Sequence, residues 1–236
     1  MKIICLWASP RNISTAFMYS FAQRKDTAVI DEPYYGYYLK QTSTIHPEKN
    51  LILKSVETNA EKITTSILNY SEKRKILFIK NMAHHIKGLD VTFTKKFHNV
   101  FLTRNPKMMI SSFIKKIPNI SIEDTGYKDQ YDLLLLLLKL NKNPIVIDSK
   151  SLLINPQKTL TKLCKHLKIP FYNSMLTWEK GGIKEDGIWA KNWYENIHNS
   201  TGFSSYENKV KILPKEYSYL VDKCNYYYNK LLKYSL

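Results

Sequence analysis

Two short turns carry the residue types that could hold an anion. Arg11 stands in Ser9-Pro10-Arg11-Asn12-Ile13-Ser14-Thr15, after the apolar run of residues 2–8 and before a helical pattern. Arg104 stands in Arg104-Asn105-Pro106, after the apolar run of residues 99–103, and Ser112 follows eight residues later on the next helical pattern. The chain has 32 lysines and only four arginines, so two arginines in equivalent places is a selective use of that side chain. A guanidinium offers a planar fork that matches phosphate or sulfate oxygens. A strand-to-helix turn adds backbone N–H groups and the helix dipole. A second set could move a proton: His84 and His85, just after the apolar run that ends in Lys80, and Glu32, which stands beside Asp31 before Pro33.

These residues need a scaffold that brings distant turns together. Runs at 2–8, 27–31, 75–80, 99–103 and 143–148 read as strands, and helical patterns cover 15–23, 59–72, 106–114, 131–140, 156–167 and, near the end, 215–232. Near-continuous apolar strands alternating with helices predict an α/β fold with a central parallel sheet and helices on both faces. Such sheets bind ligands at the carboxyl ends of their strands. The 236 residues, 44% hydrophobic, are read as one domain over 1–236.

Several classes are excluded or disfavoured. The first turn lacks the G-x-x-x-x-G-K-[ST] pattern and contains no glycine, which argues against an ATPase or kinase. The longest apolar run, residues 133–138, is far too short to cross a bilayer and reads as a buried helix. The first apolar stretch stops at Ser9-Pro10, short of a signal-peptide core, so the expected compartment is the cytoplasm. Three scattered cysteines suit reducing conditions and packing roles. The net charge of +16 comes from lysines spread along the chain, which favours attraction of an anionic substrate over a nucleic-acid surface. No Asp-rich metal site is evident, and no metal is expected.

Taken together, the two turns resemble those of sulfotransferases that use 3'-phosphoadenosine-5'-phosphosulfate (PAPS), releasing 3'-phosphoadenosine-5'-phosphate (PAP). Pro10 to Thr15 is similar to that family's P-[KR]-S-G-T-T loop for the 5'-phosphosulfate, and Arg104 with Ser112 matches its 3'-phosphate turn. Residues 148–171 and the segment 179–193, "EKGGIKEDGIWAKNW", extend the likeness over most of the chain. The resemblance implies a P-loop nucleoside-triphosphatase-like architecture and a binding set of Arg11, Asn12, Ile13, Ser14, Thr15, Arg104, Ser112, Lys180 and Gly181. Ile13 replaces the loop glycine, and a β-branched residue resists the backbone approaches that glycine permits.

Sulfuryl transfer requires a positive clamp, in-line positioning and a base for the acceptor proton. Arg11 is the clamp candidate. The resemblance also implies a role for Lys80 at its strand end, with a catalytic histidine two residues on, where this chain has Met82. His84 is the first choice for the base and Glu32 the second. The bland alternatives are that the histidines are surface residues, that Asp31 and Glu32 only pair with Arg11, and that Ser14 and Thr15 are helix caps. Tyr34, Tyr35, Tyr37 and Tyr38 could wall an acceptor pocket or fill the core, and Trp189 and Trp193 could stack on adenine. The expected activity is transfer to a hydroxyl or amine of a small-molecule acceptor. The alternatives are a nucleotide-binding protein of the same fold without transfer and a basic nucleic-acid-binding protein. Neither acceptor identity nor oligomeric state is written in these residues.

Overall fold

The computed structural model describes residues 1–44, 46–71, 74–207 and 213–236. Five strands, β1 (Lys2–Ala8), β2 (Thr27–Asp31), β3 (Ile76–Met82), β4 (His98–Thr103) and β5 (Ile145–Asp148), form one sheet in the order β2-β3-β1-β4-β5. All four pairings are parallel. Alternation along β1 divides the core: Ile4 and Leu6 face one layer with Phe17, Phe21 and Phe78, while Cys5 and Trp7 face the other with Phe101, Leu134 and Leu137. Both layers are buried, as in a sheet covered on both faces.

The covering helices are α1 (Ser14–Ala22), α2 (Tyr35–Gln41), α3 (Lys49–Ser55), α4 (Ala60–Leu68), α5 (Pro106–Phe113), α6 (Ile122–Thr125), α7 (Tyr127–Lys139), α8 (Ser149–Ile154), α9 (Pro156–His166), α10 (Ala190–Trp193), α11 (Glu195–His198) and α12 (Ser218–Leu232). The apolar run 133–138 lies in α7, with Leu133, Leu134 and Leu137 buried. Pro106 opens α5 at its first turn, and Asn105 caps it by accepting from the Met108 N–H at 3.3 Å.

Some boundaries differ from the sequence reading. Helix α7 starts at Tyr127, four residues early, because Gly126 takes the left-handed conformation that breaks it from α6. Strand β3 runs on to Met82, so the histidine pair falls in the single 3-10 turn Ala83–Ile86. The helix expected over 59–72 is α4; Glu72 lies outside the described residues. The short helices α2 and α3 had no expected counterpart. At the far edge the tail lies along β5: Val146 N–H donates to Tyr234 O at 3.2 Å and Leu236 N–H to Val146 O at 3.1 Å.

Candidate functional site

The connection after β1 leads past β3 to β2, and the connection after β4 leads the other way, to β5. Their divergence opens a crevice at the carboxyl ends of β1 and β4, the switch point where parallel sheets take ligands. A cavity of about 500 Å³ lies there. Arg11, Asn12, Ile13, Ser14, Thr15, Glu32, Lys80, His84, Arg104 and Ser112 all line it. Lys180 and Gly181 do not; Lys180 is exposed, and the Gly181 N–H is taken by His198 O at 2.8 Å.

The two arginine turns touch. Arg104 Nη1 donates to Arg11 O at 2.6 Å, Arg11 Nε donates to Ser112 Oγ at 3.2 Å, and Arg11 Nη1 reaches Trp193 O at 3.4 Å. Tyr127 OH donates to Arg104 O at 2.6 Å and fixes the second turn from α7. Among the described residues neither guanidinium has a carboxylate in salt-bridge reach, whereas Arg24 pairs with Asp26 and Lys80 with Asp31 and Glu32. Burial, and for Arg11 also the charge of Arg104, pushes both guanidiniums below their ordinary value. Partly desolvated cations without a counter-ion are costly unless an anion joins them.

The loop solves its lack of glycine by strain. Arg11 and Ile13 adopt left-handed φ of 55° and 67°, a pattern that turns neighbouring N–H groups toward a common concavity. Ile13, not Ser14, precedes α1, and no side chain caps that helix. Ser14 is instead the first helical residue, so the cap role expected of Ser14 and Thr15 is corrected. Glu32 is also left-handed, at φ 42°. Strain of this kind collects at functional sites.

The acidic pair binds Lys80, not Arg11. Lys80 is fully buried, and its ammonium donates to Asp31 Oδ1 at 3.0 Å, Glu32 Oε1 at 2.5 Å and Tyr194 OH at 2.5 Å. Its three N–H groups are therefore spent within the protein. Burial alone would lower the Lys80 value, but the two carboxylates hold it above the ordinary one. Glu32 is raised, first by burial and then by the Asp31 charge, with Lys80 opposing.

The histidines are buried, not surface residues. His85 lies between Tyr35 and Tyr38, with centroids 4.8 Å away on each side and interplanar angles of 4° and 23°. Burial lowers His84 to about 3 and His46 to about 4, and holds His85 well below the ordinary value. Of the four tyrosines, Tyr35 and Tyr38 line the cavity, Tyr34 is core with its OH on Thr64 at 2.8 Å, and Tyr37 reaches Lys87 O at 3.4 Å. Trp189 and Trp193 line the cavity too. Tyr194 was missed by the sequence reading; it lies one residue past the segment 179–193 that was singled out. Among the described residues no cluster of three or more His, Cys, Asp or Glu could hold a metal ion, and no helix is long and apolar enough to cross a membrane.

A parallel sheet whose switch-point crevice carries two guanidiniums with no carboxylate in reach among the described residues is the arrangement of an α/β protein suited to an anionic ligand. The family model described as "Sulfotransferase domain" matches residues 1–231, and the chain belongs to that family. It is 38% identical over 232 residues to Branched-chain-amino-acid aminotransferase-like protein 2 of Arabidopsis thaliana, and 36% identical over 231 residues to the protein 1 of the same name and organism. In both cases 98% of this chain aligns, and it spans only 41% of the relative's length. Among solved structures, the sulfotransferase domain from the curacin biosynthetic pathway superimposes with a TM-score of 0.65 at 17% identity, over 97% of each chain. The sulfotransferase domain of the Synechococcus PCC 7002 olefin synthase gives 0.64 at 15% identity, over 97% of this chain and 94% of the other. At such identities the likeness is one of fold.

Proposed function

We propose that residues 1–236 act as one cytoplasmic domain that transfers a sulfuryl group from PAPS to a hydroxyl or amine of a small-molecule acceptor. The observation that carries this reading is the pair of arginines, without a carboxylate in salt-bridge reach among the described residues, at the mouth of a strained, glycine-free loop. Arg11 and the N–H groups of residues 12–15 take the 5'-phosphosulfate, and Arg104 with Ser112 takes the 3'-phosphate. Bound PAPS supplies an activated sulfuryl group; the acceptor oxygen or nitrogen forms the new bond to sulfur as the bond to the nucleotide phosphate breaks. Glu32 takes the acceptor proton. It is preferred to His84 because a carboxylate raised above its ordinary value is a better base than an imidazole lowered to about 3. Three buried free cysteines support a reducing compartment.

One observation favours a second reading, nucleotide binding without transfer: Lys80 has no N–H left for the donor. Both readings require PAP binding, and only the first requires turnover.

Thermal unfolding with PAP, compared with ADP and with ATP plus magnesium, tests the shared part. A ligand at about 100 times its Kd adds roughly 2.7 kcal/mol to the folded state. A shift with PAP that Arg104→Ala weakens at least tenfold in affinity supports the 3'-phosphate assignment, since a charge-assisted bond contributes about 1.5 to 3 kcal/mol. Undiminished PAP binding by Arg104→Ala overturns it. A shift with ATP and magnesium alone overturns the PAPS reading.

A further inference from the structure

We infer that Asp31 is a positioning residue: from the end of β2 it holds Lys80 against Glu32 and fastens segment 187–194 beside the cavity. The inference rests on the reading of Glu32 as the base.

The Asp31 carboxylate is buried and accepts from four donors on two stretches of chain. Oδ1 takes Lys80 Nζ at 3.0 Å from β3. Oδ2 takes the Gly187 N–H at 3.1 Å, Trp189 Nε1 at 3.1 Å and Tyr194 OH at 2.7 Å. An uncharged residue of this shape could not accept all four. The same Lys80 and Tyr194 then lean on Glu32: Lys80 Nζ lies 2.5 Å from Oε1, and Tyr194 OH 3.5 Å from it. Glu32 Oε1 is thus occupied. Its Oε2 makes no hydrogen bond among the described residues, lies 3.7 Å from His85 Nδ1, and is the oxygen left to accept a proton. Asp31 therefore acts on Glu32 in two ways, by the ammonium it holds in place and by its own negative charge.

The groups facing Glu32 are Asp31 beside it on the chain, Lys80 from β3, Tyr194 after α10, His85 from the 3-10 turn and Tyr35 from α2. His85 and Tyr35 stay neutral because burial lowers the one and raises the other. The sign of each substitution follows. Asp31→Asn removes the charge that raises Glu32, so the acid limb of the kcat/KM profile moves to lower pH. Tyr194→Phe removes the hydroxyl whose one proton goes to Asp31 at 2.7 Å and reaches Glu32 only as a long second arm at 3.5 Å, so the limb moves slightly to higher pH.

The experiment records pH profiles of kcat/KM for the whole chain as wild type, Asp31→Asn, Tyr194→Phe and Glu32→Gln, with PAP affinity beside each. Support is a kcat for Asp31→Asn lower by about 10- to 100-fold, PAP affinity within about threefold, and limbs displaced in the two opposite directions. A loss of stability with an unmoved limb means that Asp31 only holds the fold, and overturns the inference. Should Asp31→Asn fail to fold, an unmoved limb in Tyr194→Phe overturns it equally. Near-normal turnover by Glu32→Gln overturns the base assignment itself, which separates failure of that reading from failure of this one.

Discussion

At the scale of single residues, Ile13 shows what a side chain will tolerate when the turn is held by its surroundings. The left-handed conformation costs a β-branched residue about 1 to 2 kcal/mol. It is adopted here because Asn12 Nδ2 is tied to Leu102 O and Ile13 O starts α1 by accepting from Phe17 N–H at 3.1 Å. The N–H directions thus belong to the turn and not to the side chain. Ile13→Gly is expected to keep PAP affinity within about threefold by calorimetric titration; a tenfold loss would mean that the isoleucine side chain carries the binding. Residue types alone singled out Arg11 and Arg104, because arginine is scarce in this chain, and Ser112 came with the resemblance. They did not give the state of the histidines. "HH" after a strand reads as a loop, and only the run of β3 through Asn81 and Met82 carries those rings into the interior.

At the scale of elements, α7 does more than cover the sheet. Gln130 is fully buried; its Nε2 donates to Trp7 O at 2.8 Å and Leu102 O at 2.9 Å, and its Oε1 accepts from Ser9 Oγ at 3.1 Å. It spans the ends of β1 and β4, from which the two arginine turns depart. Gln130→Leu would leave these groups without it in a dry interior, at about 2 kcal/mol or more. The expected result is a lower denaturation midpoint together with weaker PAP binding, read by urea titration and calorimetry. Lost stability with intact binding would show that the turns keep their spacing without the bridge. Periodicity identified α7 from its leucines, but the expected start at 131 left Gln130 outside the helix. A helix beginning after a left-handed glycine shows no apolar signal in its first turn, so the support of the site was hidden where the pattern was weakest.

At the scale of the whole molecule, burial of three imidazoles couples the cavity to stability. The folded protein keeps His46, His84 and His85 neutral, while an unfolded chain protonates them near pH 6.5. Below that pH the unfolded state binds more protons, so stability falls as pH drops from about 6.5 toward the folded values of about 4 for His46 and about 3 for His84. Melting temperatures from pH 7 to pH 4 should therefore decline, and less steeply in His84→Gln; equal slopes would mean that His84 is accessible to protons in the folded state. The parallel sheet itself was legible throughout, because strands buried on both faces must be apolar at every position, as in residues 3–8. The short helix α2 was not, since a tyrosine run fits a pocket wall as well as a helix, and α3 buries Ile52 alone, too little for a periodic stripe. The tail along β5 adds a last consequence. A strand at the margin of a sheet offers a row of open donors and acceptors to any passing chain. Residues 234–236 occupy part of that row, so the backbone N–H and C=O of Val146 are already taken and closed to another chain.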